Sequence, residues 1–196
     1  VVISAPAAAV PEIVAEAGLA GVAGAAILSA GLGYGAGSLA EIAGQTARRH
    51  GMRLFGPNCL GVMVPRAKLN ASFASHQPSD GHVALISQSG AVASAMIEWA
   101  AERRLGFSGI ASIGDQLDVD VADLLDYFAL DDHTSAILIY LEAVKDARKF
   151  MSAARAAARL KPVIIVKSGR MAQGAIAAAT HTGALAGSDA VYDAAF

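Results

Sequence analysis

Short apolar runs alternate with amphipathic segments from one end of the chain to the other. In the first third, residues 1–5, 24–29 and 53–55 have the apolar character of buried strands, and residues 11–19 and 38–50 have the spacing of helices. This alternation predicts an α/β domain with a parallel sheet. The stretch that follows, up to about Phe73, shows no clear period.

The rest of the chain repeats the alternation with four strands and the three helices that connect them. These predicted elements are residues 82–86, 91–104, 109–112, 119–129, 136–141, 146–160 and 163–166. The spacing of about 27 residues between strands suits crossover connections. Turn-forming residues at 76–81 predict a linker. The predicted fold class is therefore α/β, with two doubly wound parallel-sheet domains at residues 1–78 and 79–196.

Composition narrows the classes of function. The chain has 196 residues, 55% hydrophobic and 16% charged, which is enough for one or two compact domains. A net charge of -2 argues against a nucleic-acid surface, and no run approaches the roughly 18 apolar residues of a membrane span. The single cysteine, Cys59, favours a reducing cytoplasm. Residues 1–4 lack an initiator methionine and do not resemble a signal peptide. They resemble the middle of a domain, so we expect the sequence to be a fragment of a longer protein.

Small polar residues follow each strand of the second domain. They are the segments 87–90, 112–115 and 167–169, together with Glu142. Such residues are common in turns, but the carboxyl ends of parallel strands share one edge of a sheet, where α/β domains bind ligands. At Gln88, Ser89 and Gly90 the chain enters a helix directly, so free amides and the positive end of the helix dipole predict a phosphate site there. The spacing of a Walker loop is absent.

His181 is the strongest candidate for covalent chemistry. It lies among small residues, and a neutral imidazole can accept a proton or attack phosphorus. Glu142 could accept the Nδ1–H of this histidine and leave Nε2 free; alternatively, it is a first-turn glutamate that stabilises the next helix. The other histidines have no metal-ligand spacing, so no metal site is predicted. Cys59 has no apparent neighbouring base and is interpreted as a small residue that lines its loop.

Five segments in order resemble the NDP-forming acyl-CoA synthetases, which are similar to the α subunit of succinyl-CoA synthetase. The segments are residues 56–61 (GPNCLG), 87–91 (SQSGA), 112–115 (SIGD), 140–142 (YLE) and 180–189 (THTGALAGSD). The resemblance covers essentially the whole chain. It implies part of a Rossmann-like CoA-binding domain followed by a flavodoxin-like domain.

The resemblance also implies a reaction and its residues. An acyl-CoA and phosphate give an acyl phosphate, and the phosphoryl group then passes to a histidine. An ATP-grasp module, which binds ADP or ATP together with Mg, finally passes the phosphoryl group to the nucleoside diphosphate. By position, His181 would be the phosphohistidine and Glu142 its carboxylate partner, while Gln88, Ser89 and Gly90 would hold phosphate. The implied CoA-binding residues are Ser29, Ala30, Gly31, Asn58 and Cys59.

Other features depart from this pattern. The family's Ser-Ala-Gly-Phe-x-Glu turn has Tyr34 in place of its glutamate, and the glycine-rich opening and the ATP-grasp module are missing. Segments 114–120, 124–127 and 146–155 also resemble bacterial protein-lysine acetyltransferases, which fuse such a body to a GNAT domain. The hypotheses are therefore a ligase acting with an ATP-grasp partner, an acyl-CoA sensor joined to a GNAT domain, and an α/β scaffold. In each case we expect a cytoplasmic oligomer without nucleic-acid or membrane partners.

Overall fold

The computed structural model describes residues 1–168, and its first part is a small parallel sheet. Strands β1 (Val2–Ile3), β2 (Gly24–Ile27) and β3 (Arg53–Phe55) lie side by side in chain order. Helices α1 (Val10–Leu19) and α2 (Leu39–Arg49) form the crossovers, and both contribute to one core with the strands. Pro11 suits the first turn of α1, and the Ser38 hydroxyl caps α2 by accepting a hydrogen bond from the Glu41 amide.

The second part is a six-stranded mixed sheet. Its strands are β4 (Gly61–Val64), β5 (Leu69–Ser72), β6 (Asp80–Ser87), β7 (Phe107–Ser112), β8 (Ala136–Leu141) and β9 (Val163–Lys167). Their order is β5-β4-β7-β6-β8-β9. The last four in chain order are parallel, whereas β4 and β5 form an antiparallel hairpin, and β4 pairs antiparallel with β7.

Helices cover both faces of this sheet. They are α3 (Gly90–Glu102), α4 (Val121–Leu130) and α5 (Ala147–Leu160). In β6, Ala84 and Ile86 belong to the core that includes α4 and α5, whereas Leu85 between them belongs to the core that includes α3. Successive strand residues point to opposite faces, so burial on both faces explains why β6 is apolar without a break from Val83 to Ile86.

The alternating helices and strands predicted from the sequence are confirmed, with shifts of a few residues at their ends. The predicted α/β class with mainly parallel sheets is confirmed, and the stretch without clear period contains an antiparallel hairpin, β4–β5, that the sequence pattern does not predict. The predicted division at residue 78 groups this hairpin with the first domain, whereas its hydrogen bonds join it to the second sheet. As an edge hairpin, β5 is mostly exposed and lacks the apolar pattern of a central strand.

The loop after β3 and the loop after β7 contact each other and so join the two sheets. The Leu117 amide donates to the Gly56 carbonyl at 2.8 Å, and the Asp115 amide donates to the Pro57 carbonyl at 3.0 Å. Gly114 has a φ of 47°, and a Cβ there would overlap the Pro57 carbonyl oxygen. Glycine at this position therefore allows the two loops to touch.

Candidate functional site

A cavity of about 660 Å³ lies where β6, β7 and β8 end. This is the edge at which the sequence predicts ligand binding. Its lining comes from both sheets and from the loops between them: Leu28, Tyr34, Asn58, Cys59, Leu60, Phe73, Gln88, Ser89, Gly90, Ala91, Ser94, Gly114, Asp115, Gln116, Glu142, Ala143 and Lys145. The structure thus brings together six of the predicted site residues, since Asn58, Cys59, Gln88, Ser89, Gly90 and Glu142 share this cavity.

Helix α3 begins at the cavity with two amides available to a ligand. Ser89 is its N-cap, and the Ser89 hydroxyl accepts a hydrogen bond from the Val92 amide at 3.3 Å. Within residues 1–168, the amides of Gly90 and Ala91 have no hydrogen-bond partner. Neither the cap nor the first turn carries a carboxylate, so the positive end of the helix dipole is not offset there. This geometry is suited to an anion such as phosphate.

The Gln88 side chain connects this helix start to the loop after β8. Gln88 is 7% exposed; its Nε2 donates to the Ala143 carbonyl at 2.6 Å, and its Oε1 accepts from the amides of Glu142 and Ala143. The side-chain amide is therefore committed to protein backbone. This favours a positioning role for Gln88, and its predicted direct contact with phosphate stays a prediction.

Glu142 follows β8 directly and lines the cavity beside a cationic side chain. Lys167, at the end of β9, donates from Nζ to the Glu142 carbonyl at 3.0 Å. The backbone of Glu142 is thus held from two neighbouring strands, by Gln88 after β6 and by Lys167. This arrangement fixes the position of the Glu142 backbone at the edge of the cavity.

The loop after β3 supplies Asn58 and Cys59. Asn58 has a φ of 57°, which asparagine tolerates better than most residues, and its amide donates to the Ser29 carbonyl at 2.9 Å. Its side chain donates to Asp115 Oδ1 at 3.3 Å. The Cys59 thiol donates to the Ile27 carbonyl, and burial raises its pKa to about 12. A thiol with that pKa is a poor nucleophile near neutrality, which agrees with a packing role for Cys59.

The predicted CoA-contacting turn lies near this cavity without lining it. The Ser29 hydroxyl donates to the Ala5 carbonyl at 2.6 Å and accepts from the Ala5 amide at 3.0 Å, so it ties β2 to the end of β1. Ala30 and Gly31 are exposed, and Gly31 has a φ of 82°. The turn thus presents backbone to solvent, and its contact with CoA stays a prediction.

Four of the cavity residues that were not sequence candidates are Tyr34, Phe73, Asp115 and Lys145. Lys145 Nζ donates to the carbonyls of Asp115 and Gln116 at 2.5 and 2.8 Å, and burial lowers its pKa although both neighbouring aspartates, Asp115 and Asp120, raise it. Burial and the Asp115 carboxylate raise the pKa of Tyr34. Among these four residues, only Asp115 could have been found from the sequence, because it lies just after a predicted strand.

His181 lies outside the described residues. Among residues 1–168, no three His, Cys, Asp or Glu side chains are grouped in a way that would hold a metal ion. None of the helices in this part of the chain has the length and apolar character needed to cross a membrane.

Two family models match the chain. Residues 1–65 match a CoA binding domain, and residues 80–196 match a succinyl-CoA ligase like flavodoxin domain. The chain is 47% identical to the alpha subunit of ADP-forming acetate–CoA ligase I from Pyrococcus furiosus, over all of this chain and 43% of that protein. It is 44% identical to ADP-forming acetate–CoA ligase I from Archaeoglobus fulgidus, over all of this chain and 29% of that protein.

Solved structures lead to the same family. The dinucleotide-forming acetyl-coenzyme A synthetase 1 of Ca. Korarchaeum cryptofilum, in complex with phosphate and ADP, has a TM-score of 0.92 at 40% identity, over all of this chain and 43% of that one. ATP citrate lyase from Methanothrix soehngenii, at 17% identity and a TM-score of 0.76, shares the fold. This chain spans less than half the length of these relatives. The chain belongs to the succinyl-CoA-ligase-like family of NDP-forming acyl-CoA synthetases.

Proposed function

We propose that this chain is the CoA-binding and phosphoryl-relay part of an NDP-forming acyl-CoA synthetase, with ADP as the acceptor and acetyl-CoA as the first substrate to test. The observation that carries this proposal is a single cavity that contains two unpaired amides, Gly90 and Ala91, together with Glu142 and Asn58. The amides are complementary to phosphate, and Asn58 is a donor for the neighbouring thioester. The acetate–CoA ligases among the relatives suggest the acyl group.

The first step transfers the acyl group from sulfur to phosphate. A phosphate oxygen attacks the thioester carbonyl carbon, a C–O bond forms, and the C–S bond breaks to release CoA, which takes up a proton. Gly90 and Ala91 would hold the phosphate in position through their N–H groups. Orienting two bound reactants in this way removes much of the entropic barrier of a bimolecular reaction.

The second step moves the phosphoryl group to His181. Nε2 attacks phosphorus, a P–N bond forms, and the carboxylate leaves as the P–O bond to the acyl group breaks. Glu142 would accept the Nδ1–H, which selects the reactive tautomer and stabilises the ring as it gains charge. An ATP-grasp module, fused or separate, would then pass the phosphoryl group to ADP. We expect the complete protein to be a cytoplasmic oligomer. A GNAT domain is expected as a partner only if the chain is the acyl-CoA sensor and not the ligase.

The test uses the full-length protein with labelled phosphate and a panel of acyl-CoA thioesters. Acid-labile, base-stable label is expected with at least one thioester, and His181→Ala should abolish it. Glu142→Gln should suppress labelling while leaving the fold intact by circular dichroism. His133→Ala is the control, because His133 lies outside the cavity. CoA binding without label under any condition would favour the sensor, and neither binding nor label would favour the scaffold.

A further inference from the structure

The cavity carries an apolar patch that the phosphoryl chemistry does not use. Leu60, which is 1% exposed, lies directly under the start of α3: its Cβ is 3.5 Å from the point where a side chain on Gly90 would begin. The Leu60 carbonyl accepts a hydrogen bond from the Phe73 amide at 3.2 Å. Leu60, Phe73 and the helix start are therefore neighbours in one wall of the cavity.

Phe73 has an unusual environment for a phenylalanine next to a core. It is 66% exposed, although its backbone is held on both sides: by Leu60, and by the bond from the Ala74 amide to the Ser72 hydroxyl at 3.2 Å. Ala74 packs against the α3-side core, whereas the Phe73 ring lines the cavity. The ring thus lies on a fixed backbone at the cavity wall, and an apolar ligand there would cover part of it.

The chemistry of the substrate brings an apolar group to this wall. For acyl transfer, the thioester carbon must come within about 3–3.5 Å of a phosphate oxygen. If the amides of Gly90 and Ala91 hold that phosphate, the acyl group lies a few bond lengths from the same amides. Leu60, Ala91 and Phe73 are apolar residues that line the cavity, and Leu60 is in contact distance of this helix start.

We propose that Leu60, Phe73 and Ala91 form the acyl-binding subsite, and that the Phe73 ring limits the size of the acyl group. This inference rests on the proposed function and specifies its substrate class: short, uncharged acyl thioesters. Because Leu60 is buried in the core, the length of the acyl group is controlled mainly at Phe73. A smaller residue there opens space next to the reacting carbon, and a larger one removes it.

The test measures kcat/KM of the full-length protein with acetyl-CoA, butyryl-CoA and phenylacetyl-CoA, in the presence of phosphate and ADP. Phe73→Ala should raise the ratio of the bulkier thioesters to acetyl-CoA by about tenfold, the usual effect of space for one or two methylenes. Phe73→Trp should shift the ratio in the opposite direction. Leu69→Ala is the matched control, because Leu69 is on β5 in the same hairpin, is also exposed and does not line the cavity.

The outcomes separate the two proposals. If the wild-type protein turns over none of the thioesters, the proposed function fails. If the wild type is active but both Phe73 variants keep its selectivity, or lose activity equally with every thioester, the subsite is wrong. If Phe73→Ala fails to fold, the Phe73→Trp variant still tests the proposal. Only a role of Phe73 in the acyl-binding subsite predicts that this variant favours acetyl-CoA over the bulkier thioesters.

Discussion

Replacing Gln88 by leucine should release the loop that carries Glu142. The wild-type side chain makes three hydrogen bonds to this loop, one to the Ala143 carbonyl and two from the amides of Glu142 and Ala143. Leucine has similar bulk and makes none of them. The loop would lose its attachment to β6 and keep the contact from Lys167 to the Glu142 carbonyl.

The size of this effect follows from those three bonds. A protein hydrogen bond contributes about 1 kcal/mol net, which sets an upper limit of about 3 kcal/mol. The loop is partly exposed, so water replaces part of the loss, and we expect about 2 kcal/mol of local stability to disappear. Since about 1.4 kcal/mol corresponds to a factor of ten, the amides of Glu142 and Ala143 should exchange with solvent about 30-fold faster.

Hydrogen–deuterium exchange of the full-length protein, read on peptides that span residues 141–146, measures this change directly. Gln45→Leu provides the control, because Gln45 is exposed on α2 and makes no contact with the site. The Gln88 variant should also lose most of its phosphate labelling, because Glu142 is no longer held in position. Exchange as slow as in the control would refute the argument that Gln88 positions this loop.

Three further predictions concern thiol reactivity, pH and the contact between the sheets. Because its pKa is raised to about 12, Cys59 should resist iodoacetamide at pH 8 in the folded protein and react in urea, as followed by peptide mass spectrometry. Burial raises the pKa of the Asp123 carboxyl. The hydrogen bonds from the Lys149 side chain and the Asp120 amide, together with the positive charges of Lys149 and Arg53, outweigh burial and bring that pKa below its ordinary value of 3.8. Lys149→Met should therefore lower the free energy of unfolding by about 1 kcal/mol at pH 7, and by progressively less as the pH falls through the lowered pKa of Asp123, as measured by urea denaturation. Asp118→Ala removes an acceptor for the Leu54 amide, at 2.9 Å, and should speed exchange of that amide about tenfold, whereas Asp118→Asn should change it less.

The periodic parts of the fold are predictable because one physical cause dominates each of them. Strands β6 to β8 are apolar because helices cover both faces of the sheet there. Helices α4 and α5 begin within two residues of their predicted starts, at the N-caps Asp120 and Asp146. The β4–β5 hairpin could not be predicted in this way, because its pairing with β7 is a long-range contact that a local pattern does not encode.

The residues of the site also fall into a group that the sequence predicts and a group that it does not. Residues just after the parallel strands, such as Ser89 and Glu142, share the cavity, because parallel topology brings strand ends together. Phe73 also lies there, but it follows β5, a strand that the sequence pattern does not predict, and Lys145 lies four residues beyond β8. Gln88 also lines the cavity, but its hydrogen bonds to the loop after β8 depend on side-chain geometry, which no spacing reveals.

The proposed mechanism requires that the start of α3 bind phosphate in the cavity that Glu142 lines. Its most direct test is a crystal structure of the full-length protein soaked with tungstate, a heavy-atom analogue of phosphate. We expect an anomalous peak within hydrogen-bond distance of the Gly90 and Ala91 amides, in the cavity that Glu142 lines. A peak only at another place, or none at concentrations that inhibit labelling by phosphate, would contradict it.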